Sequence, residues 1–172
     1  LYKFATMLKD SPNMSSGTIT LKNDVRVLPV GKILRKTKIN ELPQLLNIVL
    51  GDMSLVGPRP QTPRCFSAFP QTDQIEILKI RPGLSGLGSI IFKEEEKMLS
   101  DKEYSEVFYD NVIMPYKGKI ETWYVKNSSI SLYFKIIFLT ILVMILPFRK
   151  IIWFIFKDLP KPPKELENFF KL

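Results

Sequence analysis

Apolar residues between Ile39 and Leu50 recur at helical spacing. Intervals of three and four place these apolar positions on one face of a helix: Ile39, Leu42, Leu45, Leu46, Val49 and Leu50. Asn40 suits the N-cap and Glu41 the first turn, where a negative charge complements the helix dipole. Gly51 suits the position just after the helix. The pattern therefore predicts an amphipathic helix over residues 39–50.

Shorter patterns predict the remaining elements of the first 126 residues. In chain order these are a strand or short helix at 1–8, a loop at 10–17, two extended pieces at 18–33 with a turn at Pro29–Gly31, a stiff extended loop at Gly57–Pro60, a short helix at 71–80, a glycine-rich loop at 81–88, and helical segments over 93–126 with a break near Met114. The predicted fold class is α+β, a helix-rich compact domain with a small β-sheet from the first 35 residues.

The C-terminal stretch from Ile136 to Phe156 is almost wholly apolar. The gain from inserting it into a bilayer and the cost of burying Arg149 and Lys150 nearly cancel, so spanning and lying in one leaflet both stay open. We interpret it as two membrane-associated helices broken at Pro147; a buried core helix is the alternative. The predicted domains are a compact domain at 1–128, which holds every candidate site residue named below, membrane-associated helices at 129–158 and a Pro/Lys-rich tail at 159–172.

Composition narrows the chemistry. The chain has no histidine and a single cysteine, which excludes histidine-based acid–base catalysis, histidine metal sites and a disulfide framework. Its net charge is +8, and the basic residues concentrate at the two ends. Such a charge suits a phosphorylated ligand or an anionic membrane surface. No nucleic-acid-binding motif is present, so we expect no nucleic-acid partner.

Three separated arginines suggest a phosphate site. Arg35 precedes the predicted helix, Arg59 lies in the stiff proline loop, and Arg81 precedes the glycine-rich loop. Guanidinium groups bind phosphate oxygens two at a time, and first-turn amides add further donors. We therefore predict that the three guanidinium groups meet near Asn40 and Glu41. Taken singly, each feature also has an ordinary structural explanation as a loop-pinning or helix-capping residue.

Four sequence strings resemble those of one family. They are LRKT at 34–37, NELPQLLN at 40–47, GDMSLVGPRP at 51–60 and RPGLSG at 81–86. Together they resemble the bacterial sugar transferases, the monotopic phosphoglycosyl transferases also called undecaprenyl-phosphate sugar phosphotransferases. The resemblance covers residues 2–145, including the opening Tyr2-Lys3-Phe4 and a closing segment around Trp123.

The resemblance implies a reaction and a location. Members transfer sugar-1-phosphate from a nucleotide-diphosphate sugar to a membrane polyprenyl phosphate, early in surface-polysaccharide assembly. It implies Mg²⁺ as cofactor, membrane lipid as a partner and the cytoplasmic face of the bacterial inner membrane as the location. It also implies a membrane helix before residue 1, which we expect the native chain to carry. The sugar, the nucleobase and the oligomeric state stay open.

At two positions that match the family's motifs, this chain carries a different residue. Asn40 stands where the family has the nucleophilic Asp of an Asp-Glu pair, and Ala5 stands where it has an Arg. Asn40 and Glu41 are the predicted catalytic positions, and Arg35, Arg59 and Arg81 the predicted phosphate ligands. Glu41 and Asp52 are candidate metal ligands, with Asp52 alternatively supporting the proline loop. Because a carboxamide is a poor nucleophile, three accounts stay open: Glu41 acts as nucleophile or base, the acceptor phosphate attacks directly, or the chain is an inactive homologue that binds donor or acts as a scaffold.

Overall fold

The computed structural model describes residues 1–14, 20, 23–99, 106–145 and 151–170. It confirms an α+β fold dominated by helices. The helices are α1 Pro29–Lys36, α2 Gln44–Val49, α3 Pro63–Ser67, α4 Gln71–Ile77, α5 Leu87–Ile91, α6 Glu95–Met98, α7 Glu106–Phe108, α8 Met114–Lys126, α9 Ile130–Ile145, α10 Ile151–Ile155 and α11 Lys164–Phe170. Single 3-10 turns cover Ser11–Asn13 and Ile39–Glu41, and a π-helical turn at Tyr109–Ile113 joins α7 to α8.

The sheet is parallel and lies in the middle of the chain. Strand β1, Ser54–Val56, pairs with β2, Gly83–Ser85, with Ser54 opposite Gly83. The prediction of a sheet from the first 35 residues is wrong. Within the described part of that region, strand pairing is confined to one antiparallel bridge between Met7 and Val27. The predicted glycine-rich loop instead supplies β2 and the start of α5.

Helix α1 replaces the turn predicted at Pro29–Gly31. Proline fits the first turn of a helix as well as it fits a β-turn, because first-turn amides have no intrahelical acceptor. Pro29 opens α1 after an extended Leu28. The N-terminal segment lies directly on this helix: the Leu28 amide donates to the Thr6 carbonyl at 3.0 Å, and a side chain at Gly31 would collide with that same carbonyl. Gly31 therefore allows the segment and the helix to touch.

The helix predicted at 39–50 is two pieces. A 3-10 turn ends at Glu41, and α2 begins at Gln44 with Pro43 as its N-cap, so the predicted N-cap role of Asn40 is wrong. Pro43 has no amide hydrogen to bond back into the preceding turn, which explains the interruption. Gly51 ends the helix in the left-handed region, at φ 85°, as predicted.

Helix α2 buries polar residues and exposes apolar ones, which is the reverse of the usual arrangement in an amphipathic helix. Its buried residues are the polar Gln44 and Asn47. Most of its apolar residues face outward, with Leu46 59% and Val49 83% exposed. An apolar stripe that the protein itself does not cover is typical of an interaction surface.

The core is built around α8. This helix packs on α4 and α5, and its Ile120 is fully buried. The chain remains helical through the break predicted near Met114, because Pro115 falls in the first turn of α8, after the π-helical turn. The short helix predicted at 71–80 is confirmed as α4.

The C-terminal helices share this core. In α9, Ile136 and Leu139 are buried, whereas Phe134 and Phe138 on another side are each 64% exposed. Helix α10 ends at Ile155, and Pro147 lies outside the described residues. Among the residues described, no helix is both long and apolar enough to cross a bilayer. The predicted tail contributes Leu166 and Phe170 of α11 to the core.

Candidate functional site

A cavity of about 1040 Å³ lies beside the carboxyl ends of β1 and β2. Its walls come from the N-terminal segment, α1, the 3-10 turn at Ile39–Glu41, the loops that follow both strands, α8 and α9. Cationic side chains outnumber anionic ones in this lining. The cavity therefore favours an anionic ligand.

Arg59 and Glu41 form an ion pair in the wall of the cavity. Nη2 of Arg59 lies 2.7 Å from Oε1 of Glu41. Partial burial pushes the pKa of Glu41 upward, but Arg59 and the more distant Lys3 and Lys38 outweigh it and hold the pKa below its usual value. Glu41 is therefore ionised at neutral pH and lies among cations.

Arg35 reaches the cavity from α1. Its Nε donates to Oγ1 of Thr6 at 3.0 Å, and its Nη1 lies 3.4 Å from a carboxylate oxygen of Glu96. Thr6 thus fixes the direction of the guanidinium group. Arg35 and Arg59 both line the cavity, as do Asn40 and Glu41. The structure therefore brings together four of the predicted site residues.

Arg81 and Asp52 lie elsewhere. Both are exposed, and neither lines the cavity. The guanidinium group of Arg81 lies beside Gly51, with Nη1 3.8 Å from the position of a Cβ there. The cause is the parallel sheet: Asp52 and Arg81 precede their strands, whereas Arg59 follows β1. The expected convergence of three arginines is therefore limited to two of them, and the roles of Arg81 and Asp52 stay predictions.

Several lysines outside the predicted set line the cavity, among them Lys3 and Lys38. Lys3 lies near Arg59, and its pKa is lowered by desolvation and by that neighbouring charge. Lys38 adopts a left-handed conformation, with φ 61°, between α1 and the 3-10 turn. That conformation ends α1 and turns the chain so that Asn40 and Glu41 follow at the cavity wall. Lys3 could have been proposed from the opening Tyr2-Lys3-Phe4 string, whereas no local pattern marks Lys38.

Asn40 occupies the cavity wall next to this cluster. Its carbonyl oxygen accepts a hydrogen bond from the Phe4 amide at 3.1 Å, which ties the N-terminal segment to the 3-10 turn. Its side-chain Oδ1 is buried and meets no hydrogen-bond partner in the described part of the chain. A buried polar oxygen without a partner costs free energy. A bound ligand or cation would satisfy it.

Glu121 of α8 is a further carboxyl in the lining that sequence reasoning missed. It is 3% exposed, and its Oε1 accepts a hydrogen bond from the Arg59 amide at 3.3 Å. Burial raises the pKa of Glu121 to about 7. In the sequence, Glu121 falls within a charged helical segment, where an acidic residue gives no indication of a functional role.

Part of the cavity lining is apolar. Ile137, Ile141 and Met144 of α9 belong to it, together with Leu84 and Ile90 near β2 and α5. The cavity therefore combines cationic side chains with an aliphatic wall from α9. This combination suits a ligand that has both an anionic group and an apolar part.

Asn40 and Glu41 could hold Mg²⁺ only if a bound ligand supplied further oxygen atoms. Oδ1 of Asn40 and the Glu41 carboxylate are hard oxygen donors, and Mg²⁺ is often held by one or two carboxylates plus substrate phosphates. Asp52 lies outside the cavity lining. Within the described ranges, no group of three or more acidic or cysteine side chains is placed to hold a metal. The residues present therefore fit a cation shared with a diphosphate.

Comparison with known proteins identifies the family. The sequence profile for "Bacterial sugar transferase" matches residues 1–147. The chain belongs to the bacterial sugar transferase family. Family members from several bacteria align over most of it. The UDP-glucose:undecaprenyl-phosphate glucose-1-phosphate transferase of Klebsiella pneumoniae is 34% identical over 142 residues, which are 81% of this chain and 28% of that protein.

Two further members of the family show similar identity. The UDP-N-acetylgalactosamine-undecaprenyl-phosphate N-acetylgalactosaminephosphotransferase of Aeromonas hydrophila is 32% identical over 82% of this chain and 30% of that protein. The exopolysaccharide production protein ExoY of Rhizobium meliloti is 35% identical over 82% of this chain and 55% of that protein. The chain thus spans less than two thirds of the length of each of these relatives.

Proposed function

We propose that this protein transfers sugar-1-phosphate from a nucleotide-diphosphate sugar to a polyprenyl phosphate in the membrane, an early step in surface-polysaccharide synthesis. The observation that carries the proposal is a single cavity lined both by the charged cluster around Arg59 and by aliphatic side chains of α9. A diphosphate and an isoprenoid phosphate need these two environments side by side. Family membership and the names of the relatives support the same reaction.

Arg35, Arg59 and Lys3 bind the phosphates in this proposal. Arg59 already neutralises Glu41, so a diphosphate entering the cavity shares its guanidinium group with that carboxylate. Arg35 is aimed by Thr6 and offers its remaining N–H groups. Fixed donors of this kind stabilise the extra negative charge that develops during phosphoryl transfer.

Glu41 takes the role of the reacting carboxylate. An oxygen of Glu41 forms a bond to the sugar-linked phosphorus while the bond from that phosphorus to the bridging oxygen breaks, and the nucleoside monophosphate leaves with that oxygen. An oxygen of the polyprenyl phosphate then attacks the same phosphorus and releases Glu41 as a carboxylate. The low pKa of Glu41 supports this role, because the group is ionised without a separate base.

Asn40 and Glu41 would hold Mg²⁺ together with the donor diphosphate. When bound, the cation neutralises phosphate charge and stabilises the departing nucleoside monophosphate. Oδ1 of Asn40, which otherwise lacks a partner among the described residues, is the atom that such a cation would satisfy.

The proposed location is the cytoplasmic face of the bacterial inner membrane. The outward apolar residues of α2 and α9 support it, since Val49 and Phe138 are both largely exposed. Lys36 and Lys38 lie close to α2 in the sequence and suit anionic headgroups. Membrane lipid and polyprenyl phosphate are then partners on the same surface.

The test measures turnover and covalent labelling together. The full chain in nanodiscs is incubated with Mg²⁺, undecaprenyl phosphate and a panel including UDP-glucose and UDP-N-acetylgalactosamine, and nucleoside monophosphate release is followed. Intact-mass spectrometry scores a phosphosugar adduct. We expect release with at least one donor, and Glu41→Gln should abolish both release and adduct.

Asn40→Asp is the companion variant. It adds a second carboxylate beside Glu41 and a stronger metal ligand, so the adduct should persist whichever carboxylate carries it. Activity without an adduct in any variant would replace the covalent route with direct attack by the acceptor phosphate. Absence of release with every donor would overturn the proposed function.

A further inference from the structure

Glu121 joins the loop after β1 to the start of helix α5. Its Oε1 accepts the Arg59 amide in the loop after β1. Its carboxylate also lies so close to the first turn of α5 that a side chain at Gly88 would collide with it. The loop after β1 is tied to the end of β2 as well, because the Gly57 amide donates to the Ser85 carbonyl at 2.9 Å.

The second oxygen of Glu121 is unusual for so deep a position. Oε2 is buried and finds no hydrogen-bond partner among the described residues. The nearby cation on the same helix, Lys117, is engaged with Glu95 at 2.5 Å. A buried carboxyl with one idle oxygen costs stability, and a well-packed apolar side chain of similar size would avoid that cost. Its presence in the cavity wall therefore suggests a role in the site.

We propose that Glu121 is a positioning residue: through the Arg59 amide and its contact with Gly88 of α5 it fixes the loop that aims the Arg59 guanidinium group at Glu41 and the donor diphosphate. The proposal rests on the proposed function for the identity of the ligand. Glu121 acts indirectly on the ligand. It accepts a hydrogen bond from the backbone amide of Arg59, whereas the side chain of Arg59 makes the 2.7 Å contact with Glu41.

Leucine and glutamine substitutions separate the hydrogen bond from the charge. Glu121→Gln keeps an oxygen acceptor for the Arg59 amide, and Glu121→Leu removes it while retaining bulk. Loss of this bond should weaken UDP binding by about tenfold in Glu121→Leu, which corresponds to about 1.4 kcal/mol. Glu121→Gln should restore most of the affinity. Isothermal titration of the full chain in nanodiscs with UDP and Mg²⁺ measures both.

A double-mutant cycle tests whether the effect travels through Arg59. In an Arg59→Ala background, Glu121→Leu should have little further effect on UDP affinity or turnover, because the group that it positions is gone. Asp73→Asn is the matched control. Asp73 is also buried and hydrogen-bonded to α8, through Thr122, but it does not line the cavity. Asp73→Asn should leave UDP affinity unchanged.

The possible outcomes separate this inference from the proposed function. Wild-type protein that neither binds UDP nor releases nucleotide overturns the proposed function, whatever the Glu121 variants do. Wild-type binding with additive losses in the double mutant, or a Glu121→Gln loss as large as that of Glu121→Leu, overturns the positioning role alone. Thermal unfolding of each variant identifies any that fail to fold, and for those the Glu121→Gln and Arg59→Ala results decide.

Discussion

Replacing Arg59 by methionine should destabilise the protein in a pH-dependent way. The substitution keeps most of the aliphatic bulk but removes the guanidinium group that lies 2.7 Å from Glu41. Without that partner, partial burial is the main influence left on Glu41, and its pKa should rise from below its usual value toward or above it. At neutral pH the protein must then hold a carboxylate whose closest compensating charge is gone.

The expected magnitude follows from the exposure of the pair. A hydrogen bond to a charged group is worth about 1.5–3 kcal/mol when buried, and an exposed ion pair about 0–1 kcal/mol. The Glu41 side chain is 14% exposed, but that of Arg59 is 35% exposed, so screening by solvent discounts the larger figure. We expect a loss of about 1 kcal/mol, or about 3 °C in Tm for a chain of this size.

The lowered pKa of Glu41 determines how the loss of stability changes with pH. A carboxylate whose pKa is lowered by folding contributes stability above its unfolded pKa, and that stability is lost as pH falls through the folded value. The difference in Tm between wild type and Arg59→Met should therefore be largest near neutral pH and shrink at about pH 3.5. Differential scanning fluorimetry at both pH values measures it.

Lys79→Met is the control for this measurement. It removes a short ion pair to Glu76 whose lysine side chain is 56% exposed, so its effect on Tm should be smaller. An Arg59→Met loss of equal size at both pH values would show that packing around the arginine stem, rather than the ion pair with Glu41, is responsible.

Three further predictions concern the buried Glu121, the neighbouring Gly88 of α5 and the exposed apolar surface of α9. Because burial raises the pKa of Glu121 to about 7, the wild type should lose stability between about pH 5 and pH 8, and Glu121→Gln should gain Tm relative to it over that range in thermal scans. Gly88→Ala should lower the free energy of unfolding by about 1–3 kcal/mol in urea titrations, since the added methyl group collides with the buried Glu121 carboxylate. A loss below that range would mean that the carboxylate moves aside. Phe138→Glu should weaken sedimentation with anionic liposomes more than Val107→Glu, an equally exposed apolar residue of α7, and equal binding by both variants would exclude α9 as a membrane contact.

Local sequence patterns predicted the elements whose boundaries are set by neighbouring residues. Helix α4 and the Gly51 helix end are examples, because spacing and glycine conformation decide them within a few positions. The sheet was misplaced because its strands are three residues long and pair across the chain, so neither shows a measurable alternation. The exposed face of α2 could not be predicted either, since an apolar stripe is the same in sequence whether it faces a core or a surface.

The site was predicted in part for a related reason. Resemblance to the family located Asn40 and Glu41, and the phosphate-binding chemistry of arginine pointed to Arg35 and Arg59. Neither argument carried information about which ends of the strands these residues occupy. Arg81 was therefore grouped with residues from which the parallel pairing separates it. Glu121 was missed because burial, rather than residue type or spacing, makes it unusual.

The hydrogen bonds around the cavity have a consequence for how the protein reaches its active form. They join residues far apart in the chain: 62 positions separate Arg59 from Glu121, and 55 separate Ser85 from Thr140. Contacts of such long range form slowly, because the intervening chain must be ordered first. During synthesis, the first half of the chain must therefore wait for α8 and α9 before the cavity closes. Ligand binding is thus acquired at the end of folding, and a nascent chain lacking α9 would still be without the site.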